Sequence, residues 1–319
     1  MSLLTERQLV ERLRERFGSA APGVELGIGD DAAVLAAGAD PWVCSVDASV
    51  EGVHFDLRYL SLEDVGYRAF QAAASDLAAM GAAPVAALSA LILPRGLSQA
   101  GIDQLTLGQR AASLDCKCPI VGGNLSRGGE LSVTTTVLGR VARPLARSGA
   151  RPGEQLWLVG PVGLAAAGLA CLRLGLGGAG PARQQAIASC VQAWRRPQAL
   201  LGPGRELGSS ASSGIDVSDG LATDARQLAR ASGVRIVVDA ARLRAALPAS
   251  LLETSRALRR AALHFALYGG EDYALLATGP RARRPSWATA IGWVTRGQGA
   301  VLEQDGRALP LGRGYDHLG

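Results

Sequence analysis

Lysine is almost absent from this chain of 319 residues. Lys117 is the only lysine, and the other 32 of the 33 basic residues are arginines. A phosphate-binding P-loop of the form G-x-x-x-x-G-K-[ST] requires lysine directly after glycine, whereas Lys117 follows Cys116. The sequence therefore excludes a P-loop. It also excludes a lysine Schiff base, unless Lys117 forms it.

Aromatic residues, cysteine pairs and long apolar runs are scarce as well. With only 4 Phe, 5 Trp and 5 Tyr residues, we expect a core of alanine, valine and leucine. The 5 cysteines contain no C-x-x-C pair, which argues against zinc and for a reducing, cytoplasmic location. The longest apolar stretch, Val85 to Leu93, ends at Pro94. It is far shorter than the roughly 20 residues that span a bilayer, so we predict no membrane segment.

The chain is basic, with a formal net charge of +5 and a pI near 9.2. Its arginines are scattered along the sequence, and few aromatic residues are available to stack on bases. We therefore expect no nucleic-acid partner, and we interpret the basic surface as attracting small anionic molecules.

The length and the 48% of hydrophobic residues predict two folded domains. Short β-like runs alternate with helical ones, so the fold class is α/β or α+β. The Pro-, Gly- and Arg-rich segment 143–154 marks the predicted boundary, giving an N-terminal α/β domain of residues 1–142 and a C-terminal α/β domain of residues 143–319. Within the second domain, segment 202–214 is interpreted as a loop, and Asp219 as the N-cap of a helix that ends at Ser232.

Five short islands place acidic residues among glycine, alanine, serine and aliphatic residues. Each island has an ordinary explanation on its own: a turn, a helix cap, a polar stripe on a helix or a loop. Buried carboxylates are costly unless they are paired or bind a metal, and lysine partners are missing here. The islands are G-I-G-D-D-A-A-V from Gly27, S-V-D from Ser45, S-D-L-A-A-M-G from Ser75, D-V-S-D-G-L from Asp216 and G-G-E-D-Y from Gly269.

Taken together, these islands point to a site for Mg²⁺ and a nucleotide. Oxygen-only ligands suit Mg²⁺, which proteins commonly hold through carboxylates and substrate phosphates. The 41 glycines let the backbone approach phosphate closely, and segment 122–128 adds a second Gly-rich corner. Arg147, in the boundary segment, is suited to bind phosphate through two hydrogen bonds.

The motifs resemble those of the thiamine-monophosphate kinase family. Besides the islands, the matching motifs are S-V-D-x-x-V-E-G-V-H-F, G-G-N-x-x-R-G, R-S-G-A-x-P-G and the terminal G-Y-D-H, in family order from Gly27 to His317. The resemblance implies the two-domain fold of aminoimidazole ribonucleotide synthetase, with an N-terminal domain that dimerises through its β-strands. It also implies a homodimer that phosphorylates thiamine monophosphate to thiamine diphosphate with ATP and several Mg²⁺ ions, by direct in-line transfer without a general base.

The resemblance also assigns roles to individual residues. Asp30 is the less direct member of the Asp-Asp pair. The implied metal ligands are Asp31, Ser45, Val46, Asp47, Asp76, Asn124, Asp216 and Asp219. The implied ATP contacts are Gly123, Asn124, Arg147 and Ser218, and the implied acceptor contacts are His54, Glu271 and Leu318.

Three positions depart from the family pattern. Asn124 stands where an aspartate is usual, Val46 where threonine is common, and Leu318 where an aromatic residue is expected. Without the resemblance, His54 reads as a core or capping residue and Glu271 as a structural loop acid. Two alternatives therefore stay open: another ATP-using enzyme of the same superfamily, and a nucleotide-binding protein with reduced activity.

Overall fold

The computed structural model describes residues 6–18, 22–26, 34–177 and 180–312. Tertiary contacts divide the chain into two compact units. The N-terminal unit comprises Met1–Leu77 and Ala82–Arg143, and the C-terminal unit comprises Ala78–Gly81 and Pro144–Gly319. None of the described helices is both long and apolar enough to cross a membrane.

The N-terminal unit is built on a four-stranded sheet in the order β3-β6-β4-β5. Strands β4 and β5 are parallel and the other pairs are antiparallel. A separate two-stranded sheet pairs β1 with β2. The elements of this unit are α1 (Glu6–Phe17), β1 (Val24–Leu26), β2 (Val34–Leu35), β3 (Trp42–Val50), α2 (Leu62–Ala79), β4 (Ala83–Pro94), α3 (Gln99–Asp115), β5 (Ile120–Gly128) and β6 (Ser132–Arg140).

Two glycines set the contact between α2 and α3. A Cβ atom on Gly108 of α3 would lie 1.9 Å from the carbonyl oxygen of Glu63 on α2. In return, a Cβ atom on Gly66 of α2 would lie 2.0 Å from the carbonyl oxygen of Leu105. The two helices therefore touch backbone to backbone at this point.

The C-terminal unit contains a seven-stranded mixed sheet in the order β13-β12-β9-β11-β7-β10-β8. Only the β9–β12 pair is parallel among its described pairings. The strands are β7 (Gln155–Val159), β8 (Ser213–Val217), β9 (Arg235–Asp239), β10 (Ala274–Gly279), β11 (Thr289–Thr295), β12 (Gly299–Gln304) and β13 (Arg307–Pro310). The helices are α4 (Leu164–Arg173), α5 (Pro181–Arg195), α6 (Leu201–Ser210), α7 (Leu221–Ser232), α8 (Ala240–Ala246), α9 (Ala249–Ala257), α10 (Ala262–Tyr268) and a 3-10 turn (Arg281–Arg283).

Both faces of this sheet are buried around β7, β10 and β8, whereas the edge strand β13 is exposed along its length. Alternate residues of the central strand β7 enter different clusters: Leu156 and Leu158 join the larger core with α4, α7 and α10, whereas Trp157 and Val159 join a smaller one with α6. A sheet covered on both faces gives continuous apolar strands, which is why β8 and β10 are buried along their whole length.

Two details of the predicted secondary structure are wrong in this unit. Segment 202–214 is not a loop, because it contains α6 and the start of β8. Its glycines permit close packing: a Cβ atom on Gly204 would lie 2.1 Å from the carbonyl oxygen of Ala78. Asp219 is not the N-cap of α7, which begins after Gly220 without a side-chain capping bond.

Candidate functional site

Strand β3 carries polar residues on the side that faces the helices. The Ser45 hydroxyl donates a hydrogen bond to the Asp76 carboxylate on α2, so Ser45 and Asp76 meet beneath the sheet. Asp47 follows two residues after Ser45 and therefore lies on the same face. Val46 lies on the opposite face with 62% of its surface exposed. From Ser45 to Asp47 the strand thus turns polar side chains inward and an apolar one outward, the reverse of an ordinary half-buried strand, whereas Val43 near its start is buried on the inner face.

The pairing of the strands gives the position of Gly123, another predicted site residue, relative to Asp47. Asp47 pairs with Thr135, Thr135 with Ser89, and Ser89 with Gly123, which forms one row across β3, β6, β4 and β5. Asp47 and Gly123 therefore share a face but stand at opposite edges, roughly 14 Å apart for three strand spacings. The hydroxyl group of Thr135 in this row is fully buried and has no hydrogen-bond partner among the described residues.

Asn124 is separated from the carboxylates of its own unit. It pairs with Ala90 in the neighbouring row, so its side chain lies on the opposite face from Asp47 and Asp76. Segment 122–128, expected to be a second Gly-rich corner of the site, forms most of the edge strand β5.

His54 lies just after β3, in a short turn. The backbone N–H of Val50 donates to its Nδ1 atom over 3.1 Å, and its own N–H donates to the Val50 carbonyl. Because Nδ1 accepts a hydrogen bond, the neutral imidazole carries its proton on Nε2. This contact fixes the ring against the end of the strand that carries Ser45 and Asp47.

Three carboxylates gather in the C-terminal unit, at the junction of β8 and α7. Asp216 lies on β8 and is 4% exposed, and Asp219 follows the strand end. Asp224, in the first turn of α7, is 1% exposed and accepts a 3.3 Å hydrogen bond from the backbone N–H of Asp219. Burial, together with the charges of Asp216 and Asp219, raises the pKa of Asp224 to about 8.

The sequence interpretation missed Asp224. Its position five residues after Asp219, in the first helical turn, is a signal that the sequence already contained. In the sequence, Asp224 resembles an ordinary surface acid at a helix N-terminus, where acidic residues are common.

Arg147 reaches this acidic group through Gln227. Its Nη1 atom donates to Oε1 of Gln227 over 2.7 Å, and Nε2 of Gln227 donates to Asp224 over 3.4 Å. The charge of Arg147 opposes the rise in the Asp224 pKa. An arginine and three carboxylates therefore share one corner of the C-terminal unit.

The G-G-E-D-Y segment packs directly on this corner. The backbone N–H of Glu271 donates to the Ser218 carbonyl over 2.7 Å, and a Cβ atom on Gly270 would lie 2.4 Å from that same oxygen. Glu271 and Tyr273 both have left-handed backbones, with φ of 67° and 51°. Such residues cost of order 1–3 kcal/mol each and concentrate at functional sites. The Glu271 carboxylate also accepts a 2.9 Å hydrogen bond from the indole of Trp194.

Asp272, the next residue, has a structural role. Its carboxylate accepts hydrogen bonds from the backbone N–H groups of Gly163 (2.5 Å) and Ala165 (3.0 Å), and so caps α4, whose own N-cap residue provides no side-chain bond. Burial of the carboxyl group raises the pKa of Asp272 to about 7. The G-G-E-D-Y segment is therefore tied to α4 as well as to β8.

This raised pKa predicts a pH dependence of stability. The folded state binds the Asp272 proton more tightly than the unfolded state, whose pKa is near the ordinary 3.8, so the free energy of unfolding should fall as the pH rises from about 4 to about 7. An Asp272→Asn variant should lose less stability over this range. Urea unfolding of both proteins at about pH 5 and about pH 8 measures the difference. Equal losses in the two proteins would contradict the assignment.

A ready-made metal cage is absent from the described ranges, because no group of three or more His, Cys, Asp or Glu side chains has the geometry to hold a metal ion. The donors fit Mg²⁺ nonetheless, since this ion is usually held by one or two carboxylates and completed by water and substrate phosphates. Three of the residues discussed above, Asp30, Asp31 and Leu318, lie outside the described residues.

Comparison with known proteins decides the family. Residues 29–141 match the family described as AIR synthase related protein, N-terminal domain. The curated thiamine-monophosphate kinase of Escherichia coli (strain K12) is 35% identical over 338 residues, covering 98% of this chain and 98% of that protein. The chain belongs to the thiamine-monophosphate kinase family. The family named from the motifs is therefore confirmed.

Solved structures of this family also share the fold. The thiamine-monophosphate kinase from Stenotrophomonas maltophilia K279a is 33% identical and has a TM-score of 0.83, covering 96% of this chain and 98% of that one. A structure of AaThiL complexed with AMPPCP and TMP is 32% identical, with a TM-score of 0.78 and 96% coverage of both chains. The predicted mixed α/β fold, like that of aminoimidazole ribonucleotide synthetase, is confirmed, whereas dimerisation through the N-terminal strands stays a prediction.

Proposed function

We propose that this chain phosphorylates thiamine monophosphate to thiamine diphosphate, with ATP as the phosphoryl donor. The observation that carries the proposal is the likeness to a protein solved with AMPPCP and TMP, which extends over 96% of both chains. The carboxylates on β3, α2 and β8 support it, because a kinase that joins two polyanions needs a way to neutralise them.

The chemistry needs no general base. The phosphate monoester of the acceptor has its second pKa near ~6, so it is largely dianionic at pH 7. One of its oxygens attacks the γ-phosphorus of ATP in line. The bond from that phosphorus to the bridging oxygen breaks, and ADP leaves with the electron pair. Because no proton has to be removed from the nucleophile, we assign no residue to that role.

The acidic residues of the chain would hold Mg²⁺ near the phosphates. When bound, Mg²⁺ offsets the charge of the two phosphate chains and orients them for transfer. The gathering of Asp216, Asp219 and the buried Asp224 at the junction of β8 and α7 supports this assignment, because it places several carboxylates in one corner. The proposed carboxylate ligands are Asp31, Asp47, Asp76, Asp216 and Asp219, and the proposed weaker oxygen ligands are Ser45, Val46 through its carbonyl group, and Asn124. Because the Asn124 side chain lies on the opposite face of the sheet from Asp47, it would bind a different Mg²⁺ ion.

The remaining predicted residues would bind the organic substrates. Arg147 presents a guanidinium group beside the Asp224 corner and would bind the phosphates of ATP, together with Gly123, Asn124 and Ser218. The Glu271 carboxylate is positioned by a hydrogen bond from the indole of Trp194. Its negative charge suits the positively charged thiazolium ring of the acceptor. His54 and Leu318 complete the proposed acceptor contacts.

A homodimer is part of the same proposal. The outer face of the N-terminal sheet exposes Trp42, Val46 and Ile92 in the single chain. Trp42 and Val46 lie on β3 and Ile92 on β4, with β6 between these two strands. Exposed apolar side chains on one face of a sheet are common in interfaces between subunits. A second copy of the chain is the partner that the family resemblance implies.

Incubation of the purified protein with ATP, Mg²⁺ and thiamine monophosphate tests the activity. We expect thiamine diphosphate and ADP in equal amounts by chromatography, and no product when a chelator removes the Mg²⁺. A folded protein that forms no thiamine diphosphate would refute the proposal. A protein that binds ATP without turnover would instead support the nucleotide-binding alternative, and turnover of a different acceptor would support another enzyme of the superfamily.

A further inference from the structure

A cavity lies in the C-terminal unit, among α8, α9 and the start of α10. Its volume is about 460 Å³. Four arginines line it: Arg244 from α8, Arg256 from the end of α9, and Arg259 and Arg260 from the turn that follows. None of these residues belongs to the proposed kinase site. We call this space the arginine cavity.

The charge in the arginine cavity is poorly balanced. Among the described residues, its lining includes no acidic side chain. The nearest compensating acid is Glu253, whose Oε2 atom lies 2.6 Å from Arg256 and whose Oε1 atom lies 3.6 Å from Arg183, outside the cavity. One carboxylate shared by two arginines leaves the lining strongly positive. His264 adds little charge, because burial and the charge of Arg260 lower its pKa.

The carbonyl groups at the C-terminal end of α9 have hydrogen-bond partners without the side chains of these arginines. The carbonyl groups of Thr254, Ser255 and Arg256 already accept the backbone N–H groups of the residues in the following turn. In that turn Arg259 has a left-handed backbone, with φ of 52°. The chain therefore holds Arg259 at the cavity in a backbone conformation that is uncommon outside glycine, and Arg260 follows it directly.

A buried hydroxyl group in the wall gives an independent sign of a ligand. Ser255 is 4% exposed, lines the cavity, and its Oγ atom has no hydrogen-bond partner among the described residues. Leaving such a group unsatisfied costs about 1–3 kcal/mol, so most buried hydroxyls in proteins are paired. A polar atom of a bound molecule would satisfy it.

We propose that the arginine cavity binds a small organic phosphate. Its phosphate oxygens would accept hydrogen bonds from the arginines and from the Ser255 hydroxyl group. Its carbon skeleton would lie on Leu252 and Leu263, the apolar part of the lining. Arginine forks match the geometry of phosphate oxygens, and the apolar side chains favour an ester over the free ion.

Calorimetric titration with phenyl phosphate tests the proposal, with inorganic phosphate as the comparison. We expect phenyl phosphate to bind at least about tenfold more tightly, because only it buries apolar surface on the two leucines. An Arg259→Ala/Arg260→Ala variant should lose one binding site or at least about tenfold in affinity. The control Arg281→Ala/Arg284→Ala removes the same charge from an exposed segment outside the cavity and should bind as the wild type does.

A Ser255→Ala variant separates ligand binding from folding. The free variant should melt at or above the temperature of the wild type, because it no longer buries an unsatisfied hydroxyl group. The rise in melting temperature on adding phenyl phosphate should be smaller than in the wild type. Wild-type binding by the Arg259→Ala/Arg260→Ala variant, or an equal loss in the control pair, would overturn the proposal. Equal affinity for both probes would mean an inorganic-anion site and would overturn the assignment of an organic phosphate.

Discussion

Replacement of Asp47 by asparagine should reduce the rate of thiamine diphosphate formation by at least about 10³-fold, which corresponds to roughly 4 kcal/mol of transition-state stabilisation. The substitution keeps the size of the side chain and one oxygen atom but removes a negative charge. Asp47 lies on the helix-facing side of β3, two residues from Ser45 and its contact with Asp76, so a loss there weakens the proposed metal ligand set directly. The measurement is kcat with saturating ATP and acceptor.

Two controls make this result interpretable. Asp40→Asn removes the same charge from an exposed position just before β3 and should leave kcat unchanged. Circular dichroism should show that Asp47→Asn retains the wild-type fold. If the variant works at close to the wild-type rate once Mg²⁺ is raised to saturation, Asp47 serves metal affinity only; a wild-type rate at ordinary Mg²⁺ would contradict its role altogether.

Replacement of Gly108 by alanine should destabilise the N-terminal unit by about 3 kcal/mol or more. The new methyl group would overlap the Glu63 carbonyl oxygen, which lies 1.9 Å from the Cβ position. A backbone oxygen cannot rotate away as a side chain can, so α2 and α3 have to separate, at the upper end of the cost of overpacking. For a unit of this size, the melting temperature should fall by about 6–12 °C.

A matched glycine provides the control for this prediction. Gly129 has no atom within 4 Å of its Cβ position, and Gly129→Ala should change the melting temperature by only a small amount. Thermal melts of both variants in the same buffer give the comparison. Similar melting temperatures for the two variants would mean that the helices adjust at little cost, and that the close contact is incidental.

Much of the secondary structure could be predicted from local pattern. Strand β6 reads as a strand because β-branched residues alternate along it, and Leu62–Ala79 reads as a helix because it contains six alanines and no proline. The prediction of a loop at 202–214 was wrong because glycine residues occur in two opposite structural contexts. It breaks helices when it is exposed, but it also permits the close approach of α6 to Ala78, which only the tertiary structure reveals.

The candidate site, too, was only partly predictable from the sequence, because some of its features depend on tertiary structure. The acidic islands indicated which residues matter, since carboxylates in apolar surroundings need a reason to be there. Sequence could not show that Gly123 shares a face with Asp47 while Asn124 lies on the other face, because this depends on the register of four strands. It also missed Asp224, because its burial follows from how α7 packs on β8 and not from its neighbours in sequence.

Because β3 turns Ser45 and Asp47 toward the helices, its pairing register with β6 decides whether these functional side chains lie on the inner face of the sheet. A slip of one residue against β6 would carry Val46 under the helices and move Ser45 and Asp47 to the outer face. Such a chain would bury more apolar surface there while losing its chemistry, so hydrophobicity alone does not select the functional pairing. The contacts of β3 with β6 must therefore select the functional register, and a single residue inserted within β3 before Asp47 would turn the carboxylate outward unless a β-bulge absorbs it.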